Sequence, residues 1–380
     1  MTEPLVILGG GFAGFWAAIA ARRLSDTLPI QLVSREPVLQ MRPRLYEAAP
    51  ETLGLDLLPL LALADIQFVP GEATALQPGT LHLASGAPLP FARLVVATGS
   101  VLRRPPIPGA ETAFSIDTQE DAIAFDRRLA ALAHAPTPPR LLVLGAGFTG
   151  LELALELRDR LAAHASPHAD AAEILLADRA PVPGQELGYN PRPAIEAALR
   201  EARIQLHLGT AIATLTPTGA TLADGTHLPA DAVILTTGMQ AAPFAAHIPG
   251  PRDALGRIQV DPFLRAPALP TLFVTGDAAA ADTGDGHIAL QSCQHALRMG
   301  RAAGANAASD LLGLPLEPYR QLRYVTCLDL GRFGAVRTAG WNRDVIEAGP
   351  AAKTLKRTIN TQIIYPPANA TRAELLAQGE

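Results

Sequence analysis

Leu141-Leu142-Val143-Leu144-Gly145-Ala146-Gly147-Phe148-Thr149-Gly150 decides the fold, because the chain uses the same pattern at Leu5-Val6-Ile7-Leu8-Gly9-Gly10-Gly11-Phe12-Ala13-Gly14. Each stretch is an apolar run, then G-x-G-x-x-G, then a helix-like segment. The run reads as a buried parallel strand. The first glycine (Gly9, Gly145) permits a tight turn, and the second (Gly11, Gly147) lets the backbone approach a pyrophosphate. The third (Gly14, Gly150) lets the helix pack closely on the strand. A helix start also offers free N–H groups and a positive dipole end to phosphate. Two such units imply two dinucleotide sites, and two facing dinucleotides usually exchange electrons. The expected fold class is α/β, with two Rossmann-like dinucleotide-binding domains and a small C-terminal region.

The flanking sequence repeats one plan twice. In the first half a helix over 12–24 and a strand over 30–33 follow the Gly-loop. Hairpin strands at 66–69, 73–76 and 80–83 come next, and a strand over 94–97 ends in Thr98-Gly99. In the second half a helix over 148–163 and a strand over 173–177 follow the loop. A helix over 193–201 and further strands come next, and a strand over 232–236 ends in Thr237-Gly238. Another strand, over 271–274, ends in Thr275-Gly276-Asp277. A long helix is expected over 288–312, and residues 366–380 read as a polar tail. Pro-rich segments around 105–108 and 136–139 mark linkers.

Composition removes several classes of function. The formal net charge of -5 gives no basic footprint for nucleic acid. No apolar run approaches the roughly 20 residues of a membrane span. Cys293 and Cys327 are the two cysteines and form no framework, which fits a reducing cytoplasm. The nine histidines show no ligand spacing, so no metal site is expected. Lysine occurs only at Lys353 and Lys356, which reads as base composition rather than function.

An acid ending the second strand of a Rossmann unit binds a ribose diol. Asp178 holds that place in the second unit and favours NADH, since its charge repels a 2′-phosphate; neighbouring Arg179 leaves room for NADPH. In the first unit the place falls to Ser34, followed by Arg35 and Glu36. Glu152, five residues beyond Gly147, is a candidate to orient the nicotinamide or relay a proton.

With both Gly-loops, Thr275-Gly276-Asp277, Gly145–Glu152 and Arg42-Pro43-Arg44-Leu45-Tyr46-Glu47, the chain resembles the two-dinucleotide-binding flavoprotein reductases of glutathione reductase-like fold. Within them it is most similar to type II NADH dehydrogenase-like proteins. The resemblance implies FAD on the first loop and NADH, or NADPH, on the second. It implies Asp277 on the ribityl chain, the Ala73 backbone by the adenine, and Arg42 and Arg44 near FAD. It implies an FAD-binding domain over 1–110 and 246–315, an NAD(P)H-binding domain over 111–245, and an acceptor-side or interface region over 316–380. The long helix would point its N-terminus, with Gln294, at the flavin pyrimidine ring. Type II NADH dehydrogenases carry Ala-Gln there and a second Gln four residues on. This chain has Cys293-Gln294 and Arg298, which favours a more polar or anionic acceptor.

No cysteine pair lies beside the flavin, so disulfide reduction is not expected. Cys327 is similar to the C-terminal redox cysteine of sulfide:quinone oxidoreductases, whose partner has no match here. Leu355, Ile359 and Ile363, with Lys353, Lys356 and Arg357 on a basic side, form a weak version of a membrane-surface helix. The expected function is NADH oxidation through FAD to a second acceptor, a quinone among the candidates. The alternatives are a soluble reductase for a protein or small molecule and an apoptosis-inducing-factor-like flavin sensor. A homodimer and a cytoplasmic location, peripheral at the inner membrane face if the helix binds lipid, complete the expectation.

Overall fold

The computed structural model describes residues 3–367 and 369–380. Two sheets carry the two halves of the repeat. The first has six strands in the order Arg265–Ala266, Leu269–Val274, Arg93–Val96, Leu5–Leu8, Ile30–Ser34 and Gln67–Pro70. The second has five, in the order Phe114–Ser115, Ala232–Leu235, Arg140–Leu144, Glu173–Asp178 and Gln205–Leu208. In each, the Gly-loop strand lies between the strand that follows it and the strand that closes the unit, all parallel. Their apolar runs are fully buried, as parallel strands covered on both faces must be.

The Gly-loop helices are Phe12–Leu24 and Phe148–Ala163. Each starts at a glycine N-cap with extended backbone and no side-chain cap of its own. A Cβ on Gly14 or Gly150 would lie 1.8 Å from the carbonyl oxygen of Gly9 or Gly145, so only glycine lets helix and turn meet. The first helix also packs tightly on helix Cys293–Leu312: a Cβ on Gly304 would lie 2.0 Å from the Ala17 carbonyl oxygen. Alanines along Phe12–Leu24 supply the matching flat face and lie almost wholly out of water.

Two expectations are corrected. The long helix begins at Cys293, not 288, because Ser292 caps it by accepting the His295 N–H. The described residues of the expected polar tail form no plain tail over 369–380. Helix Arg372–Ala377 starts on a Thr371/Glu374 capping box and buries Leu375, and Arg23 pairs with Glu380 at 3.1 Å. Helix Leu58–Leu63 went unread, being short and almost uniformly apolar. The C-terminal region is a three-stranded antiparallel sheet (Val325–Asp329, Ala335–Ala339, Asp344–Gly349) followed by helix Pro350–Thr358. Among the described residues no helix is long and apolar enough to cross a membrane.

Candidate active site

Both Gly-loops open onto one cleft of about 2380 Å³ at the carboxyl ends of the parallel strands of the two sheets. Its wall includes Gly9, Gly11, Ser34, Arg35, Arg42, Ala73, Thr98 and Gly99 from the first half. From the second half come Gly145, Gly147, Glu152, Asp178, Thr237 and Gly238, and beyond them Gly276, Asp277 and Gln294. Gly14 and Gly150 lie beneath it, holding helix to strand. Arg44 is the exception: it turns away to Glu47 at 2.8 Å and the Tyr365 hydroxyl at 2.9 Å.

On the first half, a Cβ at Gly11 would meet nothing within 4 Å, so the start of helix Phe12–Leu24 faces open space. The buried Thr98 hydroxyl lines the cleft without a protein partner. Asp277 accepts from the Ser100 hydroxyl at 2.7 Å. Arg42 donates to the Ser100 carbonyl and hydroxyl at 3.2 and 3.3 Å and pairs with Asp117. Burial pushes the Asp277 carboxyl above its ordinary range, while Ser100 and Arg42 pull it back. An open helix start, an orphaned hydroxyl and a half-buried carboxylate suit a ligand with pyrophosphate and polyol parts.

The second half is already dressed with acids. Asp178 accepts the Ala146 N–H at 2.6 Å and the Ala180 N–H at 2.8 Å. Glu186, which the sequence reading missed, accepts the Phe148 N–H at 3.0 Å. It comes from the short turn Gln185–Leu187, eight residues past the strand.

The helix start at Cys293 also faces the cleft. Gln294 donates to the Val325 carbonyl at 3.1 Å and accepts the Val325 N–H at 3.4 Å. Its amide is thereby engaged at both ends, bracing the helix against strand Val325–Asp329.

The cleft wall also carries a buried charge network. Glu152 is 4% exposed and meets Lys356 at 2.9 Å; its Oε1 also accepts the Asp329 N–H at 2.9 Å. Asp329 pairs with Lys353 and accepts from the Tyr46 hydroxyl at 3.0 Å. Asn360 bridges Tyr46 and Glu47, at 3.2 and 2.7 Å. Burial raises the Glu152 carboxyl to about 7, although Lys356 draws it down. Burial works against the Lys356 ammonium, but Glu152 holds it above its ordinary value. This changes the basic side expected of the helix Pro350–Thr358, while Arg357 stays exposed. Lys353 and Lys356 turn into the protein, while Leu355, Ile359 and Ile363 border the cleft. The sequence signal was there: the two lysines of the chain sit three residues apart on one helix.

Cys293 and Cys327 are free thiols, each pushed up to about 11 by burial, and so are protonated at neutral pH. Among the described residues no acid, histidine and cysteine cluster has metal-ligand geometry.

Known proteins share this architecture. The model of the pyridine nucleotide-disulphide oxidoreductases matches residues 3–300. An NADH dehydrogenase-like protein of Mycobacterium tuberculosis is 41% identical over 98% of this chain and 97% of its own. The chain belongs to the pyridine nucleotide-disulphide oxidoreductase family. Within that family it is type II NADH dehydrogenase-like. A demethylphylloquinone reductase of Synechocystis is 28% identical, over 93% of this chain and 90% of its own. The sulfide:quinone oxidoreductase of Aquifex aeolicus superposes with a TM-score of 0.80 over 99% of this chain and 93% of its own, at 20% identity, and so shares the fold. This pyridine nucleotide-disulphide oxidoreductase is an NAD(P)H oxidoreductase, with flavin and pyridine nucleotide as its cofactors.

Proposed function

We propose that the chain oxidises NADH through FAD and delivers the electrons to a quinone. Residues 1–110 and 246–315 would hold FAD, residues 111–245 the nucleotide, and residues 316–380 the acceptor side. When bound, the flavin supplies the hydride and electron chemistry. Gly9, Gly11 and the start of helix Phe12–Leu24 would hold its pyrophosphate, and Asp277 its polyol. The start of helix Cys293–Leu312 would place positive dipole charge at the ring. Gly145, Gly147 and Asp178 would hold NADH, the Asp178 charge disfavouring a 2′-phosphate.

The buried Glu152–Lys356 pair carries the choice of acceptor. NADH delivers a hydride, so reducing a quinone to quinol needs one further proton from elsewhere. A one-electron protein acceptor needs no such donor. Glu152, raised to about 7 on the cleft wall, can give that proton at neutral pH, and Lys356 holds it in place. The name of the Synechocystis relative, a quinone reductase matching nearly full length, supports the same class of acceptor.

The test is anaerobic. The purified protein is checked for flavin absorbance, bleached with NADH or NADPH, and mixed with a soluble naphthoquinone. Bleaching by NADH and rapid recovery on quinone are expected. Protein purified without flavin, or reduced flavin untouched by quinone, overturns the reading.

A further inference from the structure

The same backbone position is dressed differently on the two Gly-loops. A Cβ at Gly11 would meet nothing within 4 Å, whereas one at Gly147 would lie 2.5 Å from Glu186 Oε1. That oxygen accepts the Phe148 N–H, the donor a dinucleotide pyrophosphate needs at this helix start. A carboxylate and a phosphate cannot both hold one N–H, and their like charges repel. The turn that presents Glu186 is firmly seated. Gly184 donates to the Ala146 carbonyl at 2.8 Å, and Leu187 is buried. Glu186 itself is an exposed side chain with rotatable bonds, so it can leave the loop without moving the turn.

We propose that Glu186 is a gate that sets pyridine-nucleotide affinity: its carboxylate holds the pyrophosphate's place on the second Gly-loop and swings away when the nucleotide binds. The proposal rests on the reading that NAD(P)H takes this loop. A site open only part of the time binds with an affinity reduced by the open fraction. The gate therefore weakens every ligand that uses the pyrophosphate donors, whatever its redox state. Easier release of NAD⁺ follows directly.

The experiment uses the flavin-loaded protein, wild type and Glu186→Gln and Glu186→Ala. Kd is measured for NADH, NAD⁺ and ADP-ribose, with limiting rates of flavin reduction alongside. The expected result is tighter binding of all three by about five-fold, the scale of an anion at a helix N-terminus, and slower release. Unchanged or weaker Kd in both variants overturns the gate and makes Glu186 a bystander or a direct nucleotide ligand. A slower limiting rate with unchanged Kd overturns it too, moving Glu186 into the reacting geometry. Wild-type protein that binds none of the three overturns the nucleotide reading, and the gate with it. Wild-type binding with indifferent variants overturns the gate alone.

Discussion

The two Gly-loops share a backbone and differ in the groups placed on it. Gly9 and Gly145 turn with φ of 118° and 112°, and Gly14 and Gly150 meet the same carbonyl at the same 1.8 Å. The first loop carries Gly10 beside Ser34 and an uncovered helix start. The second carries Ala146 bound by Asp178 and a helix start covered by Glu186. Five residues beyond the middle glycine the first helix has Trp16, stacked with Arg301 at 4.3 Å, and the second has Glu152 on Lys356. On the proposed reading, one loop keeps its ligand and the other exchanges one. On that reading, duplicated geometry sets where phosphates go, and unlike side chains set how long they stay and where a proton comes from.

Breaking the pair on the second helix should have the largest effect. Lys356→Ala leaves Glu152 buried without a counter-charge, at a cost of about 3–5 kcal/mol. A fall in Tm should show it, and Glu152→Leu with Lys356→Met should recover much of the loss. Trp16→Phe on the first helix should leave this pair untouched.

Glu152→Gln should slow the acceptor half-reaction by roughly 10²-fold, the scale of a lost general acid, while flavin reduction by NADH stays fast. Burial pushes the Glu152 carboxyl up to about 7 against the pull of Lys356, so it is a donor below that pH and spent above it. The wild-type acceptor rate should therefore fall as pH rises through 7, and the variant should lose that limb. For stability the sign follows from the raised value. The fold prefers the protonated form, so ionisation costs stability as pH climbs from the ordinary carboxyl range to about 7, and nothing further above it.

A matched pair of glycine changes sharpens the contrast between resident and exchanging ligand. Gly14→Ala and Gly150→Ala force equal backbone clashes, each costing roughly 1–3 kcal/mol. The first should yield protein depleted of flavin. The second should yield yellow protein that bleaches poorly with NADH. Visible spectra and anaerobic titration separate them. The smallest effect is expected from Asp178→Ser, which copies the acid-free first loop onto the second. NADH preference over NADPH should fall by about five-fold in kcat/KM, the value of one half-buried charge near the ligand.

The parts built from local pattern were legible in the sequence. Both Gly-loops, their strands and helices starting at Phe12 and Phe148 follow from apolar runs and glycine spacing. So does the placement of Asp178 and Glu152 on the cleft, while that of Asp277 was implied by the family resemblance. What was not legible depends on contacts far apart in the chain. Lys356 finds Glu152 across 204 residues, and Tyr46 finds Asp329 across 283. Periodicity shows a basic helix side, and the ordinary expectation for such a side is solvent. Glu186 sits in a Pro- and Gly-rich turn where an acid carries no local signal. The resemblance implies Arg44 near FAD beside Arg42, yet the 3-10 turn Arg42–Arg44 sends the two in different directions.

The chain meets nearly every need for positive charge with arginine, and its two lysines both face acids in the buried network. A guanidinium keeps its proton under all physiological conditions, whereas an ammonium can surrender one and take it back. If base composition alone chose the cations, arginine would stand at 353 and 356 as it does elsewhere. Replacing these lysines with arginine preserves charge and removes reversibility, so a Lys353→Arg, Lys356→Arg protein asks whether this corner of the molecule is scaffolding or a reservoir.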